Sequence, residues 1–272
     1  MAIDNVLATL KRFQKATVDY LFKSMYKGAS PQARMLVADE VGLGKTMVAK
    51  GLIAKALEAH KKKKALRVVY ICSNQSIALQ NLKRLNVTSD RNEDITRGTR
   101  LTYLAFDDPN KNKDSVLNLF SLTPQTSFKL TQGGGTKIER VTLYHLLMKH
   151  PRFNQEEKLL RSYLQLDVSL DNWNWLVEVG SAIETNFYCK KYLHKKVADS
   201  FCESLSKENE NLANEIIMNI RSGERWDRKH IGQLRMCLAR ICVKRLDPDL
   251  IILDEFQRFK FLLDTEELSD DQ

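Results

Sequence analysis

The chain has 272 residues, which is enough for one large domain or two small ones, and its 43% hydrophobic content is ordinary for a globular protein with a core. No apolar run reaches the roughly 20 residues of a membrane-spanning helix, and the N-terminus lacks the layout of a signal peptide. A cytoplasmic or nucleoid-associated protein (nuclear in a eukaryote) without a membrane partner is therefore expected, and the net charge of +9 favours a polyanionic partner.

The cysteines and histidines do not form a metal-binding pattern. No pair of cysteines has the C-x-x-C spacing of a zinc site, and the five histidines are isolated from one another. We expect the cysteines to be small core residues in a reducing compartment. They are Cys72, Cys189, Cys202, Cys237 and Cys242.

The N-terminal stretch from residue 4 to residue 27 has apolar positions at approximately helical spacing, which predicts two helical segments. The apolar run Met35 to Ala38 predicts a strand that leads into a loop with Gly42 and Gly44. Met47 to Ala59 is rich in helix formers, so a helix is expected after the loop. The order is therefore strand, glycine loop, helix.

A glycine loop of this kind can bind the phosphates of a nucleoside triphosphate. Glycine tolerates the backbone conformations that let N–H groups converge on an anion, and the following helix adds its positive end. Lys45 can reach the outer phosphates, and the Thr46 hydroxyl can ligate Mg2+. The strict signature has a glycine at position 39, where this chain has Asp39.

The segment ADEVGLGKT resembles the first motif of superfamily 2 helicases and translocases, in particular the Swi/Snf-like branch. The resemblance implies ATP as the nucleotide and implies that Gln14 reads the adenine edge, since a side-chain amide both donates and accepts. A solvent-facing glutamine on a helix is the alternative for Gln14. The implied ATP-binding residues are Gln14, Asp39, Glu40, Gly42, Leu43, Gly44, Lys45 and Thr46.

Two later strand ends are similar to the nucleic-acid-binding motifs of the same superfamily. Arg67 to Ser73 is predicted to be a buried parallel strand, and Val116 to Leu122 is expected to be another. Asn86 to Gly98 is polar and is expected to be a loop or a short helix, and Leu101 to Phe106 is a further strand candidate. The polar residues that follow the first two strands are expected to contact a nucleic-acid backbone, or else to be plain polar loops. They are Ser73, Asn74, Gln75, Thr123 and Pro124.

After Gly133 to Gly135, which is expected to be a mobile surface loop, strand signals fade and helical periodicity dominates. We therefore predict a mainly helical insertion over residues 137–246. Its aromatic residues, such as Trp173 and Trp175, are expected to pack in a core in preference to stacking on bases. The basic stretch from Arg221 to Arg245 is the part expected nearest nucleic acid.

The apolar run Leu250 to Leu253 predicts a strand that ends in two adjacent carboxylates. Ligands bind at the carboxyl ends of strands in open α/β sheets, so Asp254 can hold Mg2+ and Glu255 can activate the attacking water. The sequence DEFQ resembles the second superfamily 2 motif. Gln257 stands where many members carry histidine, and the resemblance implies a role for it in coupling to a second lobe.

Together these features predict an α/β fold, namely a RecA-like P-loop NTPase lobe with a mostly parallel central sheet flanked by helices. The lobe is predicted over residues 1–136, interrupted by the helical insertion over 137–246 and completed by 247–263. Residues 264–272 are expected to form an acidic tail.

The expected function is that of the N-terminal lobe of an ATP-dependent nucleic-acid translocase or helicase. DNA is favoured over RNA as the partner, and a second RecA-like lobe is expected to complete the ATPase. The alternative is a nucleotide-binding regulator that docks a protein partner through its insertion. A small-molecule P-loop kinase is disfavoured by Asp39.

Overall fold

A computed structural model describes residues 2–38, 42–60, 65–88, 95–96, 101–105, 116–123, 133–179, 195–223 and 227–255. The chain divides into two compact units. Unit 1 comprises residues 1–99, 109–123 and 247–263, and unit 2 comprises 100–108, 124–246 and 264–272. Each unit has its own elements and core.

Unit 1 consists of four α-helices and four strands among the residues that the structure describes. The helices are α1 (Ala2–Thr9), α2 (Arg12–Phe22), which continues as a π-helical turn over Lys23–Lys27, α3 (Lys45–Ala59) and α4 (Gln75–Leu85). The strands are β1 (Leu66–Ile71), β2 (Ile95–Thr96), β3 (Leu117–Leu122) and β4 (Leu250–Leu253).

The four strands form one parallel sheet in the order β2-β3-β1-β4. Ile71 pairs with Leu122 on one side and with Leu253 on the other, so the carboxyl ends of the three longer strands lie side by side. All six residues of β1 are buried, as expected for the central strand of a parallel sheet. This edge is where an open α/β sheet binds its ligands.

Helices cover one face of the sheet and form the core of unit 1. Side chains of alternate β1 positions, such as Val68, pack with Leu119 of β3 and with Ile53 of α3. Gly51 lets α3 approach its neighbours closely, because a Cβ atom there would lie 2.8 Å from side-chain atoms of Leu10 and Val18. The predicted α/β lobe with a parallel sheet flanked by helices and a helical insertion is therefore confirmed.

Unit 2 contains helices and no strand among its described residues. A 3-10 helix covers Leu101–Ala105 and another covers Asn154–Glu156. The α-helices are α5 (Lys137–Leu147), α6 (Glu157–Gln165), α7 (Leu170–Val179), α8 (Lys195–Lys207), α9 (Glu210–Arg221) and α10 (Arg228–Leu246). The predicted apolar faces are confirmed, since Phe201, Ile216 and Leu238 are fully buried.

A buried ion pair ties α5 to α10 within unit 2. Glu139 has no exposed surface and Arg235 is 3% exposed, with the carboxylate accepting from the guanidinium at 3.1 Å. The same carboxylate also accepts from the Thr102 hydroxyl at 2.9 Å and from the Thr136 backbone N–H at 2.8 Å. These additional donors compensate the loss of water around a buried charge.

Three local predictions are wrong. Met35 to Ala38 is not a strand; Leu36 is 67% exposed, and the segment makes no ladder with another strand of the described chain. Residues 101–105 form a 3-10 helix instead of a strand, because their apolar side chains are buried within a helical unit; Phe106 lies outside the described residues. Ile95–Thr96 is a short strand in a stretch where a loop or short helix was expected.

The glycine loop before α5 is at the surface at Gly133, which is exposed, and packs against neighbouring side chains at Gly134 and Gly135. The carbonyl oxygens of Gly134 and Gly135 accept from the buried guanidinium of Arg140 at 3.3 and 3.0 Å. A Cβ atom at Gly134 would lie 2.3 Å from the Leu166 side chain. Glycine is therefore required there for close packing.

The aromatic and cysteine predictions can be compared with the described residues. Trp173 is buried and donates its indole N–H to the Arg161 carbonyl oxygen, as core packing requires, whereas Trp175 is 41% exposed. Cys72, Cys237 and Cys242 are buried free thiols, and Cys202 is half-buried. Among the described helices, none combines the length and apolar character needed to cross a lipid bilayer.

Candidate nucleotide site

The loop before α3 contains two glycines in the left-handed backbone region. Gly42 and Gly44 have φ angles of +91° and +81°, in the left-handed region that side chains disfavour. Gly44 is the N-cap of α3, and its carbonyl oxygen accepts from the backbone N–H groups of Met47 and Val48. Lys45 and Thr46 are thus the first two residues of the helix, where N–H groups and the helix dipole favour an anion.

Gln14 lies beneath this loop and is only 5% exposed, so the solvent-facing alternative is wrong. Its amide nitrogen donates to the Leu43 carbonyl oxygen at 3.0 Å, and its amide oxygen accepts from the Lys11 backbone N–H at 3.0 Å. A Cβ atom at Gly44 would lie 2.6 Å from the same amide nitrogen. Gln14 therefore links the start of α2 to the loop of Gly42, Leu43 and Gly44 before α3, which is called the phosphate loop below.

The carboxylates of Asp254 and Glu255 follow directly after β4. The Asp254 backbone N–H donates to the Ile71 carbonyl oxygen at 2.8 Å, which continues the pairing of β4 with β1 beyond the strand. Glu255 has a φ angle of +53°, a conformation that costs a non-glycine residue about 1 kcal/mol or more. Such strained residues occur often at functional sites.

A hydrogen-bonded chain holds Asp254, and its members were not identified from the sequence. The Asn81 amide donates to the Tyr70 hydroxyl oxygen at 2.7 Å, and the Tyr70 hydroxyl donates to an Asp254 carboxylate oxygen. Burial, followed by the hydrogen bond to Asp254, raises the pKa of Tyr70 far above its ordinary value, so its hydroxyl remains a donor. A tyrosine inside an apolar strand could have indicated this, because a buried hydroxyl needs a partner.

Ser73 contacts the other carboxylate of the pair. It lies two residues after β1, and its hydroxyl donates to the Glu255 carboxylate at 2.8 Å. The neighbouring Asn74 is exposed and caps α4, with its side-chain oxygen accepting from the N–H groups of Ser76 and Ile77. Two strand ends that lie far apart in the sequence thus meet at the same edge of the sheet.

The structure describes some of the remaining predicted site residues and not others. Thr123 follows β3 at this edge and is 4% exposed. Leu43 is 42% exposed, while Lys45 and Thr46 are half-buried. The predictions for Asp39, Glu40, Pro124, Gln257 and the Gln75 side chain lie outside the described residues.

The donor set suits Mg2+ in complex with a triphosphate. Among the described residues, no three histidine, cysteine or acidic side chains are grouped as a self-sufficient metal cage. Magnesium does not need one, because it retains several waters and is usually bound by one or two carboxylates together with substrate phosphates. One threonine hydroxyl and one aspartate, here Thr46 and Asp254, would fit such a site.

Comparisons with known proteins identify the family. Residues 1–138 match the family model described as type III restriction enzyme, res subunit, and this range is just over half of the 272-residue chain. It includes the phosphate loop and the first two of the three longer strands. Searches of curated proteins and of solved structures returned no match. The chain belongs to the type III restriction enzyme res subunit family and carries its helicase-like, superfamily 2 ATPase domain.

Proposed function

We propose that this chain is the ATP-hydrolysing N-terminal lobe of a translocase that moves along nucleic acid, with duplex DNA as the preferred partner. The observation that carries the proposal is the meeting of Ser73 and Tyr70 with Glu255 and Asp254 at the carboxyl edge of the parallel sheet. This meeting brings a polar loop expected to bind nucleic acid into contact with the carboxylates expected to act on ATP.

The phosphate loop is proposed to hold the triphosphate. The glycines at 42 and 44 allow the backbone to approach the phosphates, and Lys45 and the α3 N-terminus offset their negative charge. Gln14 supports the loop from below through Leu43 and is proposed to read the adenine edge when the loop is occupied. Asp39 and Glu40 are proposed to contribute to the same site.

The carboxylate pair is proposed to carry out the chemistry. Thr46 and Asp254 would hold a magnesium ion, which when bound neutralises charge on the phosphates. Glu255 would orient a water molecule and accept its proton during attack on the outer phosphate. The strained backbone at Glu255 and the fixed Tyr70 hydroxyl keep the two carboxylates in a defined arrangement before ATP arrives.

Nucleic acid is proposed to bind at the strand-end loops that contain Ser73–Gln75 and Thr123–Pro124. The family description names a restriction enzyme, which favours DNA, and the acidic lead-in at Asp39 favours a Swi/Snf-like mode of duplex translocation. Within unit 2, α10 separately carries exposed cations at Lys229, Arg240 and Lys244, which suit a polyanionic partner.

A second RecA-like lobe, from a longer chain or a partner protein, is proposed to complete the site, with Gln257 in the coupling between lobes. A missing arginine at the transferred phosphate costs about 10³ to 10⁵ in rate in well-studied NTPases. The lobe alone is therefore expected to hydrolyse ATP slowly.

The test is Mg2+-dependent ATP hydrolysis with and without duplex DNA, under single-turnover conditions with the protein in excess. Lys45→Ala should abolish binding or hydrolysis, whereas Glu255→Gln should bind ATP and lose turnover. Lys50→Ala and Glu58→Gln, on the same helix as Lys45, are matched controls that should behave as wild type. Hydrolysis that no DNA or RNA changes would contradict the motor and favour the regulatory alternative.

A further inference from the structure

The hydroxyl of Ser73 links two proposed functions, namely nucleic-acid binding by the loop after β1 and ATP hydrolysis by Glu255. It lies in the loop proposed to bind a nucleic-acid backbone, yet it donates to the Glu255 carboxylate at 2.8 Å. The Glu255 oxygen that it contacts is one of the two that could accept a proton from water. The proposed general base is thus partly occupied by a residue of the polynucleotide-binding loop.

We propose that Ser73 is a latch that restrains Glu255 until a polynucleotide phosphate takes over its hydroxyl hydrogen. This inference rests on the proposed function, because it requires both an ATPase and a nucleic-acid partner. Ser73 acts through Glu255 and is therefore a positioning residue. The latch explains how binding at the strand-end loop could be transmitted to hydrolysis.

The physical basis is the single hydrogen of a serine hydroxyl. That hydrogen can be donated fully to the Glu255 carboxylate or to a phosphate oxygen, but not to both. Hydrogen bonds to ionised acceptors are short and strong, and both candidates are anions. A phosphate that accepts from Ser73 therefore removes the Ser73 hydrogen bond from the Glu255 carboxylate.

The surroundings of Ser73 allow this exchange. Ser73 is half-buried, and the next residue, Asn74, is exposed. The Asn74 side-chain oxygen already caps α4 at the N–H groups of Ser76 and Ile77, which fixes the loop backbone. An arriving phosphate can thus redirect one hydroxyl without rearranging the strand end.

Tyr70 provides an internal contrast. Its hydroxyl donates to Asp254 in a similar way, but Tyr70 is 2% exposed and its oxygen also accepts from the Asn81 amide at 2.7 Å. A polynucleotide cannot reach this donor, so Asp254 is held permanently. Of the two β1-side donors, only Ser73 is placed to change its acceptor.

The experiment measures single-turnover ATP hydrolysis by wild type and by Ser73→Ala, Ser73→Thr and Ser30→Ala, with and without duplex DNA. Removing the latch should raise the DNA-independent rate by about tenfold to a hundredfold, the value of a hydrogen bond to a charged group. The ratio of stimulated to basal rates should fall toward one, while ATP affinity changes by less than about twofold because the phosphate loop is intact.

The controls separate a latch from a merely structural role. Ser73→Thr keeps the hydroxyl and should restore most of the stimulation, and Ser30→Ala, at an exposed serine of unit 1, should match wild type. A purely structural serine would instead lower both rates together.

Three results would overturn the inference. A basal rate in Ser73→Ala that is unchanged or lower, with stimulation retained, rejects the latch alone. Stimulation lost equally in Ser73→Thr also rejects it, since the hydroxyl would then not matter. A wild-type protein that hydrolyses no ATP, or ignores DNA, rejects the proposed function and the latch with it.

Discussion

Gly44 shows how one residue can serve two elements at once. It has a left-handed backbone, caps α3 and leaves room for the Gln14 amide, which contacts the preceding residue's carbonyl oxygen. The glycine pattern itself was readable from the sequence. The burial of Gln14 was not, because helical spacing alone does not tell which face of a short helix a loop will cover.

Gly44→Ala is expected to weaken ATP binding strongly and to reduce stability by about 1–3 kcal/mol, from backbone strain and displacement of Gln14. Gly42→Ala is the matched control, because its φ angle is similarly positive but a Cβ atom there meets nothing within 4 Å. Chemical denaturation and ATP titration measure the two effects. Equal losses in both variants would contradict a specific role for the Gln14 contact.

His150 gives unit 2 a pH dependence. Burial, followed by the nearby charge of Arg152, lowers the pKa of His150 below its ordinary value of 6.5. The unfolded chain then binds this proton more readily than the folded chain, so stability is complete above about pH 6.5 and falls as pH drops through the folded pKa.

The free energy of unfolding of wild type should therefore decline more steeply below about pH 6.5 than that of His150→Gln, which cannot titrate. The His150 ring also contacts the Ser206 hydroxyl at 3.0 Å, so His150→Gln is expected to be less stable at pH 7. Urea denaturation at several pH values measures both. Parallel pH profiles for the two proteins would show that His150 is not responsible.

At the scale of elements, the sequence was informative wherever periodicity and chemistry agreed. The helix after the glycine loop, the buried strands β1 and β3, the strand β4 and the helices of unit 2 were all predicted from composition, apolar runs or apolar spacing. Leu101–Ala105 was not, because a five-residue apolar run has no distinct period and its helical neighbours determine its conformation. The strand predicted for Met35 to Ala38 does not form, because an apolar run becomes a strand only when it pairs with a neighbouring strand.

The α5–α10 contact yields a prediction of its own. Glu139→Gln leaves the buried Arg235 charge without its counterion and is expected to destabilise the protein by about 3–5 kcal/mol. Adding Arg235→Met should recover part of this loss, since the buried charge is then gone. Glu203→Gln, which breaks an exposed pair with Lys207, should change the urea midpoint little. Equal losses of stability in Glu139→Gln and Glu203→Gln would show that the buried Glu139–Arg235 pair does not stabilise unit 2.

At the scale of the whole molecule, the chain combines an α/β unit bearing the candidate site with a separate helical unit. The two halves of the candidate nucleotide site could be predicted although they lie some two hundred positions apart. Each half is a short local motif, namely the loop before Lys45 and the carboxylate pair after β4. The sequence could not show that Tyr70, Asn81 and Ser73 connect these ends, since such contacts depend on which strands are neighbours. The parallel pairing of β1 with β4 supplies that information.

Thr46 and Asp254 are proposed to hold one magnesium ion on one triphosphate. A double-mutant cycle of Thr46→Ala and Asp254→Asn, read out as Mg2+-dependent ATP affinity, measures whether they share that ion. If both residues bind the same ion, the second substitution adds little to the first, with a coupling energy of about 1 kcal/mol or more. If the two losses instead add within about 0.5 kcal/mol, the residues act at separate places and do not share an ion.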